Sequence, residues 1–304
     1  MIRVSLSSVS VDNTLKPDKS VKRCLSEQEG YLKMLFCEIH PICYEISLKK
    51  EICKRHIKDL LSDEKFAKEK SDALLPNVVA SYSCNLIKRG KGVDLRLQEN
   101  KAVNIRLACG KLDGLIIHPD EIFSFWHLVG KTTKEKGYKD RRVIIHNKLI
   151  PGLGGGLCNL GNTIHYMVLH SPLKVTEFHH HSDALAPEEG KRVPFSTGTS
   201  ISYNYIDYRF KNNTNQNIQL HVWCDADKLH GELRSETEFP WRYSLVEEDH
   251  HFQKENDKYF RVSKIFREVM DRSTGDVINK ELILDNHSEV MYDYDLIPKD
   301  MISD

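Results

Sequence analysis

Apolar residues recur at helical spacing in several parts of the chain and at strand spacing in many more. Ser26 followed by Glu29 has the form of a capping box, in which two side chains satisfy orphan N–H groups at a helix start. Leu32, Leu35, Phe36 and Ile39 follow at intervals of three or four until Pro41 interrupts, which predicts a first helix. A second is expected from Glu51 to Lys70, with Ile57, Leu60 and Leu61 as its apolar stripe. A third is expected from Glu99 to Leu112, with Val103, Leu107 and Ala108 inward and Asp113-Gly114 ending it. The most regular helical pattern runs from Leu157 to about His170. It places Leu157, Leu160, Ile164 and Val168 on one face, and Ser171-Pro172 stops it.

The remaining segments are short, rich in branched and aromatic residues, and bounded by Gly, Pro, Asn or Asp. They are Leu115–Ile117, Ile122–Trp126, Val143–Ile145, Val175–His181, Ser200–Phe210, Ile218–Cys224 and Leu229–Arg234. One mostly antiparallel sheet is the simplest arrangement for them. From Trp241 onward, aromatic-containing strands continue around the turn Ser273-Thr274-Gly275-Asp276. The expected fold class is therefore α+β: a mostly antiparallel sheet with a central helix carrying Cys158, a helical N-terminal region and a β-rich C-terminal extension. The expected organisation is a disordered segment over residues 1–25, a helical region over 26–75, an α+β core over 76–240 and a β-rich extension over 241–304.

Composition narrows the function classes. The 304 residues, 40% of them hydrophobic, suffice for a sizeable core. The 44 basic and 44 acidic residues cancel, and no Lys/Arg run provides the electrostatic footprint of a nucleic-acid partner. No run approaches the roughly 20 apolar residues of a membrane span. The first 20 residues lack a basic stretch followed by an apolar segment, so a cytoplasmic location is expected. Eight cysteines without CxxC spacing point to reduced thiols rather than a disulfide or zinc framework.

One segment has the residues for chemistry. Gly154-Gly155-Gly156 permits positive φ and close backbone approach, and a helix follows at once, so Cys158 falls in its first turn. There the helix dipole and unpaired N–H groups favour the nucleophilic thiolate. The alternative is a tight turn beside a cysteine that packs as a small hydrophobe. If Val175–Ser182 is a strand, Glu177, His179 and His181 share a face and His180 points away, so either His179 or His181 can face Cys158. His165, seven residues along the helix and ~10 Å away in axial rise, is too distant for proton transfer and reads as a partly exposed histidine. Asp207, in the strand Ser200–Phe210, is available to orient an imidazole in a thiol triad, or to pair with Arg209. Asn212 and Asn213 read as turn residues. Two histidines plus Cys158 form only a weak metal set, and the glycine run lacks the Gly-Lys-Ser/Thr ending of a phosphate loop. No cofactor and no metal are expected.

Taken together and in order, Phe123-Ser124-Phe125-Trp126, Val129-Gly130-Lys131-Thr132, Gly137-Tyr138, Gly154-Gly155-Gly156-Leu157-Cys158, Leu169-His170-Ser171-Pro172-Leu173 and His179-His180-His181-Ser182 resemble the VanW family. The resemblance runs across residues 77–236, and the helical front and β-rich tail extend it to nearly the whole chain. It implies a bacterial accessory protein of glycopeptide (vancomycin) resistance, linked to the cell envelope, and it supplies no reaction. The family's GGGxC turn and later His-Ser fall on Gly154, Gly155, Gly156, Cys158, His181 and Ser182, which favours His181 over His179. Its later Asp and Asn fall on Asp207 and Asn212, and Thr163 also fits the pattern. The chain departs where the family has Gln after the Cys, here Asn159, whose shorter amide reaches less far toward an oxyanion. It departs again where the family has Pro-Gly-Glu, here Pro119-Asp120-Glu121.

Two functions are expected from these residues. One is a thiol hydrolase or acyltransferase acting on a peptidoglycan-precursor-like acyl or amide bond. In it Cys158 is the nucleophile, His181 the base and Asp207 the orienter, supported by His179, Gly155, Gly156, Asn159, Thr163 and Ser182. The other is a non-catalytic module for a cell-wall peptide, glycan or glycopeptide-related ligand, lined by Phe123, Phe125, Trp126 and Tyr138.

Overall fold

The computed structural model describes residues 39–87, 94–145, 148–180, 183–184, 199–203 and 205–303. The chain divides into two compact units between Ser62 and Asp63. In the first, one helix, α1, spans Pro41–Leu61. The His40 side chain accepts from the Ile42 N–H at 3.1 Å as its cap, and Pro41 occupies the first turn. Proline suits that position because its missing N–H has no intrahelical acceptor there and its φ is already helical. Pro41 therefore starts a helix rather than interrupting one, and the segment expected over Glu51–Lys70 instead ends at Leu61. Of the positions named for the helix after Ser26, all but Ile39 lie outside the described residues, as do residues 1–25.

The second unit is α+β. Strands β1 (Asn77–Asn85), β2 (Leu115–Ile117), β9 (Ile218–Cys224) and β10 (Lys228–Ser235) form an antiparallel sheet in the order β1-β10-β9-β2. Helices α2 (Leu95–Leu112) and α4 (Leu157–Leu169) cover one face, α2 on β9 and α4 on β1 and β10. α2 begins four residues before its expected start because the Asp94 carboxylate caps the Leu97 N–H at 3.2 Å. Leu112, Leu115, Ile117, Leu160, Ile164, Leu220, Leu229 and Leu233 are wholly buried between these layers. At Gly231 of β10 a Cβ would lie 2.6 Å from Met167 Cε and 3.2 Å from Thr163 Cγ2, so the missing side chain lets α4 lie close to the sheet.

The expected single sheet is in fact several. Strands β3 (Ile122–Ser124), β6 (Lys174–Glu177) and β8 (Arg209–Lys211) form a second sheet, and β4 (Asp140–Ile145) with β5 (Lys148–Leu153) forms a hairpin. Long strands β11 (Trp241–Glu255), β12 (Lys258–Asp271) and β13 (Val277–Val290) form an antiparallel meander, edged in parallel by β7 (Asp183–Ala184) and β14 (Ile302–Ser303). Three expected strands are shorter than predicted, one of them the segment from Val175, which ends at Glu177. Ile122–Trp126 stops at Ser124 because the Ser124 hydroxyl caps the His127 N–H at 3.2 Å and opens a short helix, α3 (Phe125–Val129). Ser200–Phe210 is strand only from Arg209, since the backbone before it turns through the Ser202–Ile206 bridge.

Candidate functional site

The glycine turn is built by backbone geometry and one buried amide. Gly154 and Gly156 have φ of 75° and 98°, a left-handed conformation that side chains disfavour. A Cβ on Gly154 would also meet Thr132 Cβ and Oγ1 at 2.7 Å. Asn104 of α2, wholly buried, donates to the Gly155 carbonyl at 3.0 Å and exchanges bonds with the Lys139 backbone at 3.1 and 2.7 Å. α4 then starts at Leu157, with Gly156 as an N-cap that contributes no side-chain hydrogen bond. Cys158 occupies the first turn, half-buried, with Sγ 4.0 Å from the Ile201 carbonyl. All four residues of the expected apolar face, Leu157, Leu160, Ile164 and Val168, are buried, which fixes the rotation of the helix and hence the place of Cys158.

The strip Thr199–Ile201 lies between α4 and the histidine run. Thr199 N–H donates to the Asn162 Oδ1 of α4 at 2.7 Å, and a Cβ on Gly161 would lie 3.3 Å from Thr199 Cγ2. On the other side Ser200 N–H donates to the His179 carbonyl at 2.8 Å, and His180 bridges Thr199. The strand expected over Val175–His181 ends at Glu177, after a register shift between Val175 and Glu177, so strict alternation does not carry through the histidines. His179 Nε2 is 3.0 Å from Glu177 Oε1, which also accepts the Asp207 N–H at 3.1 Å. His181 and Ser182 lie outside the described residues.

Asp207 serves the scaffold. It has no exposed surface. One carboxylate oxygen accepts from the Trp126 and Tyr208 N–H groups at 3.0 and 2.9 Å, the other from Ser124 Oγ at 2.5 Å and Arg209 Nε at 2.8 Å. These four donors fill its acceptor capacity, and among the described residues none is an imidazole. The pairing with Arg209 weighed from sequence is present, and the role of orienting a catalytic imidazole has no support in these contacts. Arg209 in turn lies 5.0 Å from the Phe66 ring centroid and 3.8 Å from Glu177 Oε2, tying the cap of α3 to the end of β6.

His165 departs from expectation in burial. It is 2% exposed, stacked on Phe178 at 4.0 Å, and shares a hydrogen bond with the Tyr208 hydroxyl at 3.1 Å. Burial, reinforced by nearby His180, holds its pKa down at about 3, so the imidazole is neutral at physiological pH. Asn159 and Thr163 turn toward β1: Asn159 Oδ1 accepts from Cys84 Sγ at 3.5 Å, and Thr163 Oγ1 lies 3.6 Å from the same sulfur. Phe125 and Trp126, expected to line a ligand cleft, are 0% and 5% exposed. Both sit in the core, with Trp126 Nε1 donating to the Ile206 carbonyl at 3.0 Å. Phe123 is also core, stacked on Phe210 at 4.7 Å, and Tyr138 is 4% exposed in the same core, beside a cleft of about 500 Å³ lined with Leu107, Leu128 and Lys136. Asn212 is a buried turn residue, its amide donating to the Ile117 and Gln216 carbonyls at 2.8 and 2.9 Å.

Sequence reasoning missed Asn104, Glu177, Cys84 and Ser124. Glu177 alone had a signal, sharing an expected strand face with His179; the other three are recognisable only from the partners that the fold brings to them. Among the described residues no three His, Cys, Asp or Glu side chains converge as metal ligands. No described helix is long and apolar enough to cross a membrane.

The profile described as VanW like protein matches residues 100–234, which run from α2 to β10. The vancomycin B-type resistance protein VanW of Enterococcus faecalis is 29% identical over 227 residues, covering 75% of this chain and 82% of the relative. The uncharacterized protein YoaR of Bacillus subtilis is 31% identical over 122 residues, 40% of this chain and 39% of the relative. No solved structure matches. The glycine turn, the helix bearing Cys158, strands β2 and β9 and nearly all of β10 fall within the matched residues, and this part of the chain is a VanW like domain.

Proposed function

We propose that this protein is a cysteine-dependent enzyme that attacks an acyl or amide bond of a peptidoglycan-precursor-like substrate, with Cys158 as nucleophile. The observation that carries this reading is the position of the thiol in the first turn of α4, after an N-cap glycine with no side chain to compete for the helix N–H groups. A base from the run His179–His181 takes the thiol proton. Glu177, already 3.0 Å from His179, is the carboxylate available to orient an imidazole, in place of Asp207. The name of the Enterococcus relative supports a role in vancomycin resistance, and therefore a substrate of the wall-building kind.

The test is iodoacetamide labelling of the full chain across pH, read by peptide mass. The expected result is that Cys158 labels at pH 6–7 ahead of exposed Cys53, below the roughly 8.5 of an ordinary thiol. Replacing His179 and His181 by Gln together moves that labelling to higher pH. If Cys53 labels first and the His variants change nothing, the reading fails. A second reading, a non-catalytic binding module, is favoured by an open cleft of about 360 Å³ lined by Tyr166, His170, Trp241, Arg242, Tyr243 and Arg272. Binding of a carboxylated wall peptide that is lost in R242A/R272A, with ordinary Cys158 labelling, decides for that reading.

A further inference from the structure

Two thiols far apart in sequence meet away from Cys158. Cys109, near the C-terminal end of α2, and Cys224, the last residue of β9, have their sulfurs 4.0 Å apart, although 115 positions separate them. Cys109 is 4% exposed and Cys224 is partly buried. α2 packs on β9, so the approach of the two sulfurs is built between these two elements.

We propose that Cys109 and Cys224 are a reversible thiol–disulfide site, which takes as its oxidant a low-molecular-weight disulfide and closes a bridge between α2 and β9. The more accessible Cys224 thiolate attacks one sulfur of the disulfide, forms a mixed disulfide with it and expels the other half as a thiolate, which takes up the proton that Cys224 lost. Cys109 then gives up its proton and attacks the Cys224 sulfur. The protein S–S bond forms and the second small thiol leaves, carrying that proton. Two protein thiols are oxidised by two electrons and one small disulfide is reduced to two thiols. The sulfurs need only close from 4.0 Å to roughly 2.05 Å, a shift of about 1 Å each.

The electrostatics suit this order of attack. The hydrogen bond shared with Cys109 is the main cause that lowers the Cys224 pKa, and the Arg106 guanidinium adds to it. Arg106 is held beside Cys224 by donating to the Asp225 carbonyl at 2.8 Å. The same hydrogen bond, together with burial, raises the Cys109 pKa. The more accessible thiol is thus the more acidic attacker and the buried one the resolving group.

The test incubates the full chain with glutathione disulfide, quenches with iodoacetamide and maps peptides before and after dithiothreitol. The expected product links the Cys109 and Cys224 peptides, is lighter by two hydrogens, escapes alkylation and reopens with dithiothreitol. In C109A, Cys224 accumulates a stable glutathione adduct at least tenfold above wild type; in C224A, Cys109 stays reduced. Circular dichroism establishes that each variant is folded. Should C109A not fold, the linked peptides in the wild type and the reduced Cys109 in C224A suffice to decide. A lasting glutathione adduct on wild-type Cys224, or alkylation of both thiols after oxidation, overturns the proposal.

Discussion

At the scale of single residues, the polar groups that look catalytic divide into those that hold the fold and those that face chemistry. Asp207 is the clearest case of the first. Its two oxygens join the cap of α3, the backbone before β8 and the Arg209 guanidinium, all out of contact with water. Removing one partner of a buried ion pair strands the other charge. Asp207→Asn is therefore expected to lower unfolding free energy by about 3–5 kcal/mol in urea titration at neutral pH, the cost of breaking such a pair. A loss under about 1 kcal/mol would mean that Arg209 is satisfied by Glu177 instead. Asp120 sits at φ 66°, a conformation aspartate tolerates better than most residues, and its carboxylate lies 2.7 Å from Lys211 Nζ.

At the scale of elements, the site depends on how closely α4 approaches the sheet. Gly231 leaves room on β10 for Met167 and Thr163, and Thr163 contacts Cys84 in turn. Alanine at 231 meets chiefly the flexible end of Met167, which can move. Valine adds branches against Thr163 as well and has to push the helix away. Gly231→Val is expected to cost roughly 1–3 kcal/mol, the usual range for overpacking, while Gly231→Ala costs less. Thermal unfolding of both variants checks this, and equal losses would place the close contact elsewhere. Because Cys158 rides on the same helix, Gly231→Val also alters its labelling rate, whereas a surface change on β13 does not.

For the molecule as a whole, His165 links the core to pH. Its folded pKa of about 3 lies below the 6.5 of an unfolded histidine, so the unfolded chain binds more protons between those values. The stability this group provides is complete above pH 6.5 and is lost as pH falls toward 3. The slope approaches 1.4 kcal/mol per pH unit for one proton, at about pH 4–5. His170, whose pKa burial also lowers, adds in the same direction. His165→Phe keeps a ring against Phe178 but cannot titrate. Its unfolding free energy is expected to vary less steeply from pH 6.5 to 4 than that of the wild type, and an unchanged slope would remove His165 as the cause.

The sequence by itself determined the features that depend on near neighbours. The apolar period of Leu157, Leu160, Ile164 and Val168 sets the helix and its buried face. Gly154 and Gly156 set a turn at positive φ that side chains disfavour, and both central hairpin strands of the main sheet, β9 and β10, follow from branched residues between turn formers. Helix starts at Pro41 and Asp94 were harder to locate, because a cap is a bond between one side chain and one N–H, not a period. The tertiary structure alone decided which polar residues are satisfied by the scaffold. Asp207 and Asn104 find partners 35 to 83 positions away, and Cys109 meets Cys224 across 115. Such pairings cost the chain the entropy of closing long loops, which is offset by burial of the whole core and not by any feature of the residues that meet. Spacing therefore brought Cys158 to a helix start, and only packing separated the carboxylate that holds the fold, Asp207, from the one beside a histidine, Glu177.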